Sequence, residues 1–184
     1  SVQVTFYILI GFVLAYGSDP DGAAMRRETL LLAVLIGSAV QIAAQFVAAG
    51  YSDRHGRRGI FMLGAALLGF WGFVLFPLID TGSFWLTVIG ITGGLVFVGM
   101  MYGPQAAFYT ELFSTEVRYS GASLGYQLGA IIGGAFAPTI ATALWRESTI
   151  GILGVSIYIA CAAIATILSV TFLTETFESR LQDT

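Results

Sequence analysis

The stretch with the densest chemistry is Gly50-Tyr-Ser-Asp-Arg-His-Gly-Arg-Arg58, which holds one carboxylate, three guanidinium groups and the sole imidazole of the chain. Its chemistry is ionic. Arginines can pair with carboxylates or hold a loop at an anionic leaflet. Asp53 can cap a helix N-terminus or face a neighbouring helix dipole. Gly50 and Gly56 permit close backbone approach and a tight turn. A second charged stretch, Glu111-Leu-Phe-Ser-Thr-Glu-Val-Arg118, repeats the pairing of acid and arginine. Covalent catalysis would need a nucleophile beside a base, or a metal site. His55 is flanked by Arg54 and Arg57, and Cys161 has no charged or His neighbour in sequence. No HExxH, GxSxG or CxxC pattern occurs. No catalytic residue, metal site or cofactor is therefore expected.

Uncharged polar residues form a second set. Tyr102, Gln105 and Tyr109 follow the i, i+3, i+7 spacing of one helix face, just past Gly103-Pro104. Gln41 and Gln45 share a face at i, i+4, with Ser38 nearby, and Gln3, Tyr7 and Tyr16 lie near the start of the chain. Gly121, Gly125, Gly129 and Gly133 recur every four residues, a stripe of small residues that lets helices pack closely. Ser120, Ser123 and Gln127 fall on roughly the opposite face. Buried amides in lipid seek partners or water, so Tyr7, Gln41, Tyr102, Gln105 and Gln127 are candidates to line a polar path. For any one of them, interhelical hydrogen bonding accounts for the residue equally well.

The elements that must carry these residues are membrane spans. The chain has 184 residues, is 57% hydrophobic and only 10% charged, and carries a net charge of −3. Soluble domains carry about 25% charged residues, so lipid is the expected solvent, and nothing points to a nucleic-acid surface. The charges cluster at 19–28, 53–58, 80, 111–118, 146–147 and from Glu175 onward. Between them lie charge-free stretches near 2–17, 30–50, 60–79, 84–110, 120–145 and 149–173. A bilayer core takes about 20 helical residues. Lipid offers no partner for backbone polar groups, which forces helix. Short loops predict that consecutive spans are antiparallel neighbours. Spans three and six are nearly devoid of polar groups, and Pro138 is expected to bend span five. Cys161, in an apolar run, is expected to be a small packing residue. Arg54, Arg57, Arg58, Arg118 and Arg180 lie on one side, which the positive-inside rule puts in the cytoplasm, together with the C-terminus. Trp85 and Trp145 fall near the outer interface, whereas Trp71 sits mid-span. The start Ser-Val-Gln-Val, without Met or a positive n-region, reads as a cut at the mouth of a helix.

Gly50 to Arg58 resembles the G-x-x-x-D-R-x-G-R-R signature of the major facilitator superfamily, one spacer residue shorter. Glu111 to Gly121 resembles that superfamily's E-x-F-P-x-x-x-R-x-x-G loop between the tenth and eleventh helices. Ser114 stands at the proline position, which implies a less rigid turn. Two spans separate the motifs, so the chain resembles the C-terminal six-helix half of a twelve-helix fold. Val4-Thr-Phe-Tyr7, Tyr16 and Arg118-Tyr-Ser-Gly-Ala-Ser-Leu-Gly-Tyr-Gln-Leu-Gly129 are similar to bacterial metabolite:H+ symporters.

The resemblance implies a bacterial cytoplasmic-membrane carrier that rocks one half against the other around a midplane site. Its partners would be the bilayer, an N-terminal half, a small-molecule substrate and protons. It also implies that Gly50, Asp53, Arg54, Gly56, Arg57, Arg58, Glu111 and Arg118 belong to a gate whose ion pairs close and open. The cargo would be a small organic acid. Proline and betaine carriers of this group usually carry a long coiled-coil tail, whereas this chain ends soon after Glu175. No acidic residue lies at the centre of a span, so a proton-coupling carboxylate is expected in the other half. A non-transporting scaffold or sensor with the same fold is the alternative, though it would have little need of a gate.

Overall fold

The computed structural model describes residues 1–111 and 117–172. Six helices follow one another: α1 Val2–Ser18, α2 Arg27–His55, α3 Arg57–Asp80, α4 Phe84–Glu111, α5 Arg118–Glu147 and α6 Ile152–Thr171. The described residues contain no strand. Helices α2 to α6 are each long and apolar enough to cross a membrane, and α1 is a shorter apolar helix. This is the all-α, six-helix membrane fold that the spacing of charges predicts. The turn at Ser114 and the tail with Glu175 and Arg180 lie outside the described residues.

Helices α1 to α5 overrun the charge-free stretches, and at one place this changes the reading. Helix α2 continues to His55, so Gly50 to His55 is its last part and not a loop. The chain reverses at Gly56 alone, with φ +92° and ψ 155°, a conformation that a Cβ disfavours. Asp53 is therefore inside α2 and does not cap α3, which starts after Gly56 with no side-chain cap. Gly50 does not serve close approach either, because a Cβ there would meet nothing within 4 Å.

Neighbours in sequence are not always neighbours in space. Helix α4 packs along both α2 and α3, and α3 packs along α6, whereas α2 and α3 touch little. The predicted pairing of consecutive spans thus holds for α3 and α4 and fails for α2 and α3. Gly103 shows why: a Cβ on it would lie 2.5 Å from the Gln45 carbonyl oxygen, so α2 has come in against the α4 backbone. Helix α4 runs unbroken through Pro104. Helices α3 and α6 meet at Gly69 and Gly72, where Ser156 Oγ donates to the Gly72 carbonyl at 2.7 Å. Such close approaches matter because lipid supplies no hydrophobic drive between helices. Trp71, unexpected at mid-span, donates its indole N–H to the Gly90 carbonyl at 2.8 Å and ties α3 to α4. Cys161 is exposed on α6 and fills no gap within this chain.

Helices α1 and α5 each contain one wide turn, at Ile8–Phe12 and Ala130–Ala135. Wide turns insert an extra residue and re-aim a helix. The second precedes Pro138, which has no N–H to offer the Gly134 carbonyl one turn back. The two helices meet here. A Cβ on Gly134 would lie 2.7 Å from the Tyr7 ring, and one on Gly133 would lie 3.5 Å from Val4. Gly125 and Gly129 meet nothing within 4 Å. Of this glycine stripe, Gly133 packs inside this chain and Gly125 and Gly129 do not, and the first part of α5, Arg118–Gly129, holds no fully buried residue. The buried core gathers Leu9, Phe12, Phe76, Leu95, Met101 and Phe108 from α1, α3 and α4.

Candidate functional site

The charged motifs converge where α2 ends, α3 begins and α4 ends. Arg57 is the hub. Its Nε lies 2.9 Å from Glu111 Oε2, and its Nη1 lies 3.3 Å from Asp53 Oδ1. The Arg57 Nε–H is not aligned on an acceptor, so its contact with Glu111 is ionic rather than a directed hydrogen bond. The Arg57 and Glu111 side chains are only 11% and 9% exposed, against 61% for Asp53. Screening by water is weak for the first pair and strong for the second. The one-residue turn at Gly56 lets Arg57, the first residue of α3, reach back to Asp53 in the last turn of α2.

The other motif residues divide. Arg58 Nη2 donates to the Thr171 carbonyl at 2.8 Å and fastens α3 to the end of α6. Arg54 is exposed and has no ion-pair partner among the described residues. Arg118, half-buried, opens α5 and is itself engaged. His55 stacks on Tyr51 with ring centroids 4.4 Å apart. The motif thus assembles Asp53, Arg57 and Glu111 into one network, with Arg58 beside it as a helix tie.

The uncharged polar residues form a separate pocket between α4 and α5, of about 310 Å³. Tyr102, Gln105 and Tyr109 line one wall, as their spacing predicts, and Ser123 and Tyr126 line the other. The Tyr102 and Tyr126 hydroxyls are 2.9 Å apart, and Gln105 Nε2 donates to the Tyr109 hydroxyl at 3.1 Å. Gln105 is buried, and its Oε1 has no partner. The arrangement offers phenolic donors and one free carbonyl acceptor, with aromatic faces and no charged group among its described lining residues. Tyr126 was not among the candidates, although its spacing from Ser123 on one helix face was the available signal. Three candidates lie elsewhere. Gln41 is buried against α4 at Gly99, Gln127 is exposed outside this pocket, and the Tyr7 ring packs on Gly134.

A second network holds the opposite end of the bundle. The Tyr16 hydroxyl donates to Asp80 Oδ1 at 2.5 Å, joining α1 to α3. Arg146 Nη2 donates to Asp19 Oδ2 at 2.5 Å, and its guanidinium lies 4.8 Å from the Trp145 ring centroid. Trp145 in turn packs edge-on against Tyr16 and Phe12. Sequence reading used Asp80 and Arg146 only as span markers. A lone carboxylate at a span end was the available sign that a donor stands opposite.

Comparison with known proteins identifies relatives of the chain. The family described as "Sugar (and other) transporter" matches residues 6–184. A Haemophilus influenzae protein whose name describes metabolite transport is 35% identical over 97% of this chain and 41% of its own length. The inner membrane metabolite transport protein YhjE of Escherichia coli is 31% identical over 93% of this chain and 39% of its own. The shikimate transporter of Escherichia coli is 32% identical over 77% of this chain and 32% of its own. The chain spans about 40% of the length of the first two. No solved structure gives a significant match.

Proposed function

Since this chain belongs to the sugar (and other) transporter family of the major facilitator superfamily, we propose that it is the C-terminal six-helix half of a secondary active carrier. The carrier moves a small organic acid across the bacterial cytoplasmic membrane by alternating access, coupled to protons. The observation that carries this reading is the Arg57 hub. It gathers the ends of α2 and α4 at the start of α3 by ionic contacts that can rearrange without breaking a helix. In this reading the hub lies on the cytoplasmic side and closes the inner gate. The tyrosine and glutamine pocket between α4 and α5 contributes to the substrate site, and the other half supplies the proton-coupling carboxylate.

Relatives support the cargo class, since one is named for shikimate and another is named a citrate-proton symporter. A second reading draws on the pocket itself. Its tyrosine faces and lack of charge suit a quaternary ammonium group, and a relative of 27% identity is named a proline/betaine transporter. The test is uptake by cells expressing the full-length carrier, with a pH gradient imposed. Shikimate, citrate and betaine are compared side by side. Organic-acid uptake that collapses with the gradient is expected. Betaine uptake alone would favour the second reading, and no gradient-dependent uptake of any would remove the coupling. Asp53→Asn and Arg118→Ala are expected to slow uptake while leaving membrane insertion intact. Normal rates in both would remove the gate assignment.

A further inference from the structure

The weak contact between α2 and α3 leaves a groove of about 770 Å³, floored by α4 at Val96 and Met100. It exists because side chains are small where the helices diverge: Ala43, Ala44 and Ala48 on α2 and Gly59 on α3. A Cβ on Gly59 would meet nothing within 4 Å. The groove runs along α2 from Val40 to His55, which is about 20 Å at helical rise. One leaflet of a bilayer core is about 15 Å deep.

The lining is apolar except at one end, where Tyr51 and His55 stand. That end lies in the last turn of α2, beside the basic motif. The charges there are not equivalent. Asp53 is turned to Arg57, Arg57 is held by Asp53 and Glu111, and Arg58 is engaged with Thr171. Arg54 is exposed and has no ion-pair partner among the described residues. An apolar channel that opens sideways in a membrane and ends beside an arginine with no ion-pair partner among the described residues matches one ligand chemistry: an acyl chain below an anionic phosphate.

We propose that the groove between α2 and α3 is a binding site for an anionic phospholipid. One acyl chain lies between Val40 and Gly59, and the phosphate lies at Arg54 and His55. The site is separate from the polar pocket between α4 and α5 and does not depend on what the carrier moves. By filling the gap, the lipid supports α2 and α3 in the relative position that keeps the Arg57 hub assembled.

The test uses the full-length carrier in vesicles that contain a phospholipid with a photoreactive diazirine near the end of one acyl chain. Phosphatidylglycerol and phosphatidylcholine probes with the same chains are compared, and cross-linked peptides are identified by mass spectrometry. Labelling within residues 40–63 is expected, with about a fivefold preference for phosphatidylglycerol, the factor that about 1 kcal/mol for one arginine near an anionic surface yields. Gly59→Phe is expected to abolish labelling in this segment by either probe while labelling of α6 persists, which shows that the variant has folded. Arg54→Gln is expected to leave chain labelling and remove the preference. Absence of label in 40–63 would mean that the other half covers the groove, and would overturn the proposal. Equal labelling by the two probes, a preference that survives Arg54→Gln, or labelling that survives Gly59→Phe would overturn it too.

Discussion

Neutralising Glu111 should weaken the hub far more than neutralising Asp53, although both carboxylates touch Arg57. Glu111 lies 2.9 Å from Arg57 Nε with both side chains nearly covered, whereas Asp53 lies 3.3 Å away and is 61% exposed. Exposed pairs contribute about 0.2–1 kcal/mol. Breaking a buried pair costs about 3–5 kcal/mol, because an uncompensated charge remains. Arg57 would retain Asp53, so Glu111→Gln falls below that range, at about 2–3 kcal/mol. A loss of that size shifts the equilibrium between closed and open gate by about 30- to 150-fold, against about fivefold at most for Asp53→Asn. The assay is distance measurement between spin labels on the two halves of the full-length carrier, which reads the closed fraction directly. The exchanged variant, Arg57→Glu with Glu111→Arg, should restore part of the closed population. Equal effects of the two single neutralisations would refute the argument from burial. So would a closed fraction that does not change with Glu111→Gln.

Three further outcomes follow from the packing. Gly103→Ala should lower thermal stability in detergent by about 1–3 kcal/mol, because its Cβ would meet backbone atoms at 2.5 Å and 3.1 Å that cannot give way; Gly50→Ala, in open space within a helix, should be neutral or gain up to about 1 kcal/mol. Tyr102→Phe and Tyr126→Phe should each raise KM for the transported substrate, and the double variant should be less than additive, because the two hydroxyls share one hydrogen bond. Arg146→Gln should cost less than about 1 kcal/mol in melting experiments, since Arg146 is 55% exposed. Its cost should also shrink as salt is raised.

The fold was legible to the extent that charge spacing marks the bilayer. The stretch 84–110 is almost the whole of α4, because charge and helix end together at Glu111. At the end of α2 the two criteria separate. Charges begin at Asp53, yet the helix continues to His55, since charged residues in the last turn leave the backbone ladder intact. Hydropathy sees the limit of lipid and not the limit of the helix. Which glycines pack could not be read from spacing. Gly125 and Gly129 of the regular stripe are open within this chain, while Gly99 and Gly103, also four residues apart, meet the α2 backbone at 3.2 Å and 2.5 Å. That difference is set by which helix lies opposite, and loop length misassigned the neighbour of α2. The wide turns at Ile8–Phe12 and Ala130–Ala135 had no signal beyond Pro138. In the site, spacing found Tyr102, Gln105 and Tyr109 because all three share one helix. The Tyr102–Tyr126 contact joins two helices, and a one-dimensional pattern does not report it.

A single residue out of regular structure separates α2 from α3, and this has a mechanical consequence. Helix α2 has 29 residues, a rod of about 43 Å at helical rise. Helix α4 lies against α2 at Gly103 and against α3 at Trp71, so a tilt of α2 relative to α3 has its fulcrum at Gly56 and is shared across the α4 contacts. A tilt of about 5° there, well within what a residue without Cβ can absorb, carries the far end of α2 through about 4 Å. Movement too small to part the charged groups beside the fulcrum is therefore amplified at the opposite membrane face. A bulkier residue at position 56 would stiffen the pivot and shorten the stroke.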